Sequence, residues 1–406
     1  MPQLVVYEDR HWPDLSPLTD LLPVPALAFG ASTLGERWAS GFTGPPIVEA
    51  RAGAAGDGPP RVPAPAFGAK EPVFIANAAV LPGTWVREAL ADSASKLLTR
   101  GDRVVAALVT GAQVGPGIGR GEGFAAFVEG LGLPRREVDA RLIEWPWNMI
   151  EWNAAAIAED LGATRGEIRG DVHELAALYE PRHVTVEKGA RIEALAVLDA
   201  REGPIRIGPG CVILPHTVVI GPCTVGEGTH LLGGSIGRST IGPGCRIGGE
   251  VDESIWQGWA NKRHHGFVGH SVIGEWSNLG ALTTTSDLKN NYGTIRVHAG
   301  GRERDSGLIK LGAILGAGVK TGIGTLLPTG ASIGTGSHLF GGGRYAPKYL
   351  PAFSWWDGER TSEYQLEKFL ETARTAMGRR QRPLTKQHES ALRVLFAAGK
   401  KEQRAG

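Results

Sequence analysis

The stretch IRIGPGCVILPHTVVIGPCTVGEGTHLLGGSIGRSTIGPGCRI, residues 205–247, decides the fold. Aliphatic residues return in it every six positions, at Ile207, Ile213, Val219, Val225 and Leu231, and in a shifted register at Ile241 and Ile247. Glycine directly follows several of them, as in Ile207-Gly208, Val225-Gly226 and Ile241-Gly242. A period of six fits neither a helix, with its 3.6, nor a sheet that simply alternates. It fits short strands joined by tight corners and stacked into a parallel β-helix, each aliphatic pointing inward above its counterpart one coil below. Glycine, proline and asparagine suit the corners, where φ is often positive or another backbone approaches closely.

The rhythm extends outward from this stretch. Upstream it runs through Val186, Ile192 and Leu198; downstream it returns at Ile273 and Leu279, then at Ile309, Leu315, Thr321, Leu327, Ile333 and Leu339. Residues 184–345 hold 34 of the 59 glycines without a G-x-y period, which excludes collagen. Three hexads per turn make this segment roughly nine coils. The rhythm reads as failing between Glu250 and Leu308, where an irregular loop, SDLKNNYGTIRVHAGGRERDS (286–306), enters. A loop of that length inside a compact repeat points to function or disorder.

The flanks read differently. Leu4–Tyr7, Val73–Ala76 and Val104–Val109 have the composition of strands, while 84–99 and 150–161 have helical spacing. The alternation predicts an α/β domain over 1–170 with a largely parallel, Rossmann-like sheet. Residues 45–70, rich in Pro, Gly and Ala, read as a long flexible loop, and so does GPGIGRGEG (115–123), which matches a phosphate-loop pattern only loosely. The β-helix is expected over 180–347 and a helical tail over 348–406. In that tail Trp355-Trp356-Asp357-Gly358 is read as a turn, before helices at 361–377 and 385–398 that cover the open end of the coil.

With 42% hydrophobic and 21% charged residues the chain is not of the disordered class. A net charge of +1 gives no electrostatic reason to seek nucleic acid or an anionic membrane, and neither is expected as a partner. No run approaches the ~18 apolar residues of a membrane helix, and the N-terminus has no signal-peptide pattern. Three cysteines, Cys211, Cys223 and Cys245, suit a reducing compartment, so a cytoplasmic location is expected.

The segment NKRHHGFVGHSVIGEWSNLG (261–280) carries three histidines. With Asn291-Tyr292-Gly293 it resembles the acyltransferase signature of GlmU-like proteins, which are bifunctional N-acetylglucosamine-1-phosphate uridylyltransferases and glucosamine-1-phosphate N-acetyltransferases. DLSPLTDLLPVPALAFGASTLGERW (14–38) and PAFSW (351–355) extend the resemblance to a divergent branch of sugar nucleotidyltransferases covering nearly the whole chain. The resemblance implies a left-handed β-helix in a homotrimer, with acetyl-CoA as co-substrate and the sugar bound between subunits. Counting five positions back from Gly269 puts the family's catalytic histidine at His264, with Phe267 in the place of a tyrosine. By the same carry-over Asn278 contacts the sugar, and Asn291, Tyr292, Ala281 and Ala317 lie by the acyl-CoA. Lys262, Arg263 and His265 belong to the same acyl-CoA- and sugar-binding set. Adjacent histidines leave open whether His264 or His265 is the base.

The chemistry needs these residue types. An amine attacking a thioester loses a proton as the amide forms, and an imidazole of ordinary pKa near ~6.5 takes it at neutral pH. Corner N–H groups can hold the tetrahedral oxyanion. Lys262, Arg263, Arg296, Arg302 and Arg304 can meet a sugar phosphate or the phosphates of coenzyme A. The family's lysine-rich phosphate grip here reads GGEVDESIWQG (248–258), with Glu250, Asp252 and Glu253 and no lysine. Acidic groups there would repel a phosphate, so the departure points to another acceptor, a different amino or hydroxyl sugar, with a nucleotide-linked one among the options. Two rivals remain. A zinc hydratase would use His264, His265 and His270, although neighbouring strand residues face opposite ways. A non-catalytic trimeric scaffold needs none of them.

Sugar nucleotidyl transfer requires a glycine-rich phosphate loop after the first strand and an aspartate for Mg²⁺. Here the first strand runs into Glu8-Asp9 with no glycine loop, and the strand at 73–76 ends at Asn77. Asp9, Arg37 and Asn77 are the candidate nucleotide-binding residues, with Glu8 and Asp9 as possible Mg²⁺ ligands. The resemblance implies a uridylyltransferase-like front domain that the residues only weakly support.

Overall fold

Of the aliphatic six-residue series, every member is buried except Ile309, which is 53% exposed. The computed structural model describes residues 2–51, 67–162 and 165–405, and it carries this series as the core of a parallel β-helix. One face is a nine-stranded parallel sheet running from Val184–Val186 through Cys223–Val225, Ile255–Trp256 and Ala313–Leu315 to Tyr349–Leu350. The other two faces share a second sheet as far as Phe267–Gly269, because His230–Gly237 and Arg246–Asp252 bend round the corner between them and pair on both sides of it. Beyond that the third face is the separate pair Thr284–Thr285 and Leu326–Leu327. Each inward aliphatic sits over its neighbour, as Ile192 over Ile213 and Val225 over Ile241. Burying a side chain of this size contributes about 1.5–3 kcal/mol, so the stack is the main source of stability.

The coil is longer than the sequence suggests. It starts before 180, since Ile168 bridges Val186 and Asp171–Val172 pairs with Arg191–Ile192. It ends after 347, where Ser354–Trp356 pairs with His338–Leu339. Trp355-Trp356 is therefore strand, and the turn is confined to the residues after it, before Thr361–Glu363 folds back antiparallel. That strand displaces the expected start of the tail helix, which runs Leu366–Gly378, followed by Lys386–Ala405.

The apparent failure from Glu250 onward is also corrected. Coils continue without a gap through Ile255–Trp256, Asn261–Lys262, Phe267–Gly269, Val272–Ile273, Asn278–Leu279 and Thr284–Thr285. The aliphatic rhythm is masked in the sequence because Trp256 and Lys262 fill inward positions; Lys262 pairs with Ile247 below it and is 1% exposed. The real interruption is an insertion after Thr285. It is not irregular throughout, since Arg296–Ala299 and Arg302–Asp305 form an antiparallel hairpin. Ile309 belongs to the returning limb of this insertion, which explains its exposure.

By contacts, most of residues 2–144 form one unit, and residues 145–405 with Ser16–Asp20 and Ala28–Ala31 form the other. The helix Pro146–Leu161, assigned above to the front domain, thus packs with the second unit. The first unit is α/β around a six-stranded sheet. Its strand order is Ile47–Glu49, Gln3–Tyr7, Pro72–Asn77, Arg103–Thr110, Lys96–Arg100, Arg135–Glu137. The sheet is mixed rather than largely parallel, because Arg103–Thr110 runs antiparallel to both of its neighbours. The helix expected over 84–99 stops at Leu90, and its second half is the strand Lys96–Arg100. Part of the segment read as a flexible loop, Ile47–Glu49, is an edge strand; residues 52–66 lie outside the described residues. GPGIGRGEG forms short 3₁₀ turns in which the Gly119 and Gly121 N–H groups donate to the Glu49 carboxylate at 2.6 and 2.9 Å.

Candidate active site

The corner after Asn261–Lys262 carries Arg263, His264 and His265, all exposed. Its backbone is set by what lies beneath. The Leu282 N–H donates to the His265 carbonyl at 2.8 Å, and the Gly324 N–H to the Ala281 carbonyl at 2.8 Å, so three successive corners stack. Gly266 closes the first at φ +131°, and a Cβ there would collide with the Thr283 carbonyl, so the position demands glycine. Asn278 stands on the strand leading into the Ala281 corner. Its Oδ1 accepts from Asn261 Nδ2 at 2.8 Å and its backbone N–H donates to the Val319 carbonyl at 2.8 Å, while its side-chain Nδ2 has no protein partner among the described residues. His264, His265, Ala281 and Asn278 are thus gathered on one edge of the coil.

The other carried-over residues are not. Ala317 lies at a different corner, where its carbonyl accepts from the Gly336 N–H. Asn291 and Tyr292 are exposed in the insertion, at the third corner. Arg296 pairs with Glu303 at 3.2 Å in the hairpin, Arg302 is exposed there, and Arg304 lies over the Trp145 ring at 4.1 Å.

Lys262 does not face a ligand, contrary to the phosphate-binding role given it above. Its ammonium is inside the coil, donating to the Gly248 carbonyl at 2.7 Å and the His264 carbonyl at 3.1 Å. Burial pulls its pKa down to about 8. The side chain thereby ties the His264 backbone to the coil below.

His270 is likewise no partner of the histidine pair. It is 6% exposed at a corner, φ +44°, between Asp287 (Nδ1, 2.8 Å) and Glu253 (Nε2, 3.3 Å). Burial pulls its pKa down, but hydrogen bonds and attraction from Asp287 and Glu253 outweigh it and raise it to about 9. Glu253 is held below the usual carboxylate range, chiefly by the His270 hydrogen bond. Among the described residues, no group of three or more His, Cys, Asp or Glu is placed to hold a metal ion. The acidic stretch also reads differently in three dimensions: Asp252 meets Arg238 at 2.8 Å and Glu253 meets His270, leaving only Glu250 exposed and without an ion pair. Its repulsion of a phosphate is therefore weaker than the composition implied. Neither Lys262 nor the His270 clamp was legible beforehand; a lysine at an inward hexad position was the available signal for the first.

In the first unit the ends of the strands are closed by ion pairs. Arg103 donates to Asp9 through Nε at 2.7 Å and Nη2 at 3.1 Å, and Asn77 Nδ2 donates to Asp9 at 2.8 Å. Glu8 is buried against Arg51 and accepts from the Val24 N–H at 2.8 Å; burial raises its pKa. Arg37 is buried in the helix Leu34–Ala39. A divalent cation at Asp9 or Glu8 would have to displace a guanidinium, so this donor set does not fit Mg²⁺.

Residues 4–167 match the sugar nucleotidyl transferase family. A bifunctional sugar-1-phosphate nucleotidylyltransferase/acetyltransferase of Sulfurisphaera tokodaii is 28% identical over 205 residues, covering 48% of this chain and 44% of that protein. A bifunctional protein GlmU of Methanocaldococcus jannaschii is 27% identical over 193 residues, covering 47% and 41%. The chain is thus a relative, at modest identity, of GlmU-like bifunctional proteins, and it spans less than half the length of these two. A solved Arabidopsis UDP-N-acetylglucosamine acyltransferase superposes over 52% of this chain and 79% of its own, at 15% identity and a TM-score of 0.29, too loosely to bear on function.

Proposed function

We propose that the protein is a transferase of sugar-nucleotide metabolism. In this reading its β-helix moves an acyl group from an acyl-CoA, acetyl-CoA first, to an amino sugar, sugar phosphate or nucleotide sugar. The observation that carries the reading is the exposed His264-His265 corner stacked over Ala281, one strand from an Asn278 whose side-chain Nδ2 has no protein partner among the described residues. The acceptor amine attacks the thioester carbonyl carbon, the N–C bond forms as the C–S bond breaks, and the sulfur leaves with the electron pair. His264 takes the amine proton and returns it to the thiolate. His270, protonated at neutral pH, is unsuited to that task. Lys262 acts as a positioning residue through the His264 carbonyl.

Asn291 and Tyr292 lie at a different corner from His264, so a site using all three draws on two subunits, which favours the homotrimer. The front domain, with Asp9 and Glu8 engaged by arginines, is read as binding a nucleotide or sugar phosphate rather than turning it over. With Asp252 and Glu253 paired and only Glu250 left without an ion pair, the acidic corner is compatible with a phosphorylated acceptor. We place the protein in the cytoplasm, in the synthesis of cell-envelope precursors; no described helix is long and apolar enough to cross a membrane.

The test is thiol release from acetyl-CoA in the presence of amino sugars, their 1-phosphates and their UDP-linked forms. Release with one acceptor class, lost in His264→Ala, is expected. No release with any acceptor overturns the reading in favour of the scaffold, which the closed strand ends of the front domain would also suit.

A further inference from the structure

A second concentration of chemistry lies away from the histidine corner. The turn ending the helix Leu366–Gly378 comes down on the corner of the β-helix between the nine-stranded face and the strand Arg246–Asp252. Between them is a cavity of about 440 Å³. Four arginines line it, Arg246 from the coil and Arg379, Arg380 and Arg382 from the turn, against a single carboxylate, Glu227. Basic residues at a helix C-terminus are ordinary complements of its dipole. That does not explain Arg246, which reaches the same space from another element.

Arg246 is fixed in place: its Nη1 donates to the Gly228 and Cys245 carbonyls, each at 2.8 Å. Among the described residues, neither it nor Arg379 nor Arg380 meets a carboxylate at ion-pair distance. The positive field is felt around it. Arg246 is held below the usual guanidinium range by burial and then by Arg380, and His230 is lowered by burial and then by Arg246 and Arg380. Concentrating like charges costs free energy in the unliganded protein, and an anion would relieve it.

The aromatic wall narrows the ligand class. Trp259 stacks on Trp276 at 5.4 Å on one side and is covered by the Arg382 guanidinium at 4.6 Å on the other. With one ring stacked on it and a guanidinium over it, Trp259 has little face left for a nucleobase, so recognition would rest on charge-assisted bonds to phosphate.

We propose that this cavity is a pyrophosphate-binding site, in which Arg246, Arg379 and Arg380 grip the two phosphates of a free pyrophosphate or of a nucleoside diphosphate. It lies on a different corner from His264 and does not depend on the acyl-transfer reading. Three arginines around one site match a ligand of several negative charges better than a monoanion.

The experiment is titration calorimetry of the full chain with inorganic pyrophosphate, UDP and orthophosphate, repeated at rising sodium chloride and paired with thermal melts. Pyrophosphate is expected to bind more tightly than orthophosphate, to raise the melting temperature and to weaken with salt. The Arg379→Ala/Arg380→Ala variant, altered only in a surface turn, is expected to lose about tenfold or more in affinity, and Arg380→Lys to retain part of it. Equal binding of UDP and pyrophosphate assigns the bare diphosphate as the unit read; binding of UDP without pyrophosphate overturns the proposal, because the nucleoside would then be what is recognised. The proposal is overturned if none of the three binds, or if the double variant binds as the wild type does while melting at the same temperature.

Discussion

His270 and Asp287 clamp the base of the insertion: the imidazole Nδ1 lies 2.8 Å from the carboxylate, and the carbonyls of the same two residues accept from the Gly312 and Leu311 N–H groups. The insertion thus leaves and re-enters the coil at one ionic fastening. Glu253 and Arg238 continue the chain of charges along the same corner.

This fastening makes stability depend on pH. The folded pKa of His270 is raised from 6.5 to about 9, so its contribution is fully present below 6.5 and is lost as pH rises through about 9. Glu253 is lowered from 4.5, so its contribution is present above that value and fades as pH falls through the depressed folded value. His270→Ala is expected to cost about 1.5–3 kcal/mol near pH 6.5, the range for hydrogen bonds to charged groups. Urea melts of both proteins from pH 6 to 10 check this, with the gap between them closing towards the alkaline end.

Catalysis should separate from stability at the exposed corner. His264→Ala removes a solvent-facing side chain, so the melting temperature should hold while the thiol-release rate falls by roughly 10²–10⁴, the usual worth of a general base. His265→Ala should change the rate far less. The reverse order would move the base to His265.

Much of this architecture was legible from residues 205–247, because an inward position tolerates few residue types and the coil repeats the demand every six residues. The reading failed where another force took over. Lys262 occupies a core position through its long methylene stem while carbonyls satisfy its head, and no hydropathy pattern anticipates that. Lys96–Arg100 reads as helix by spacing, yet antiparallel pairing with Arg103–Thr110 makes it strand. The partners of Asp9 and His270 are 94 and 17 residues away in sequence, so the closing of one site and the clamp at the other follow only from the fold.

Arg103 supplies a test of the closed front site. Its guanidinium is the main partner of the 6%-exposed Asp9, so Arg103→Ala strands a buried carboxylate and should cost about 3–5 kcal/mol in a denaturant melt. Arg103→Ala/Asp9→Asn should recover most of that loss. If instead Asp9→Asn alone abolishes a Mg²⁺-dependent release of pyrophosphate from a nucleoside triphosphate and sugar phosphate, the carboxylate works as a metal ligand and the closed reading is wrong.

Lys262 links the core to the proposed chemistry. Truncation to alanine removes the buried stem and leaves the Gly248 and His264 carbonyls without their donor. A loss of about 2–5 kcal/mol is expected for a core truncation of this size. Lys262→Met keeps the volume and should recover most of the stability, but it cannot hold the His264 carbonyl. The expected signature is a near-normal melting temperature with thiol release still reduced and kcat affected more than KM, because the corner that presents the imidazole is no longer tied down. Equal rates for Lys262→Met and wild type would show that the tether has no part in placing His264.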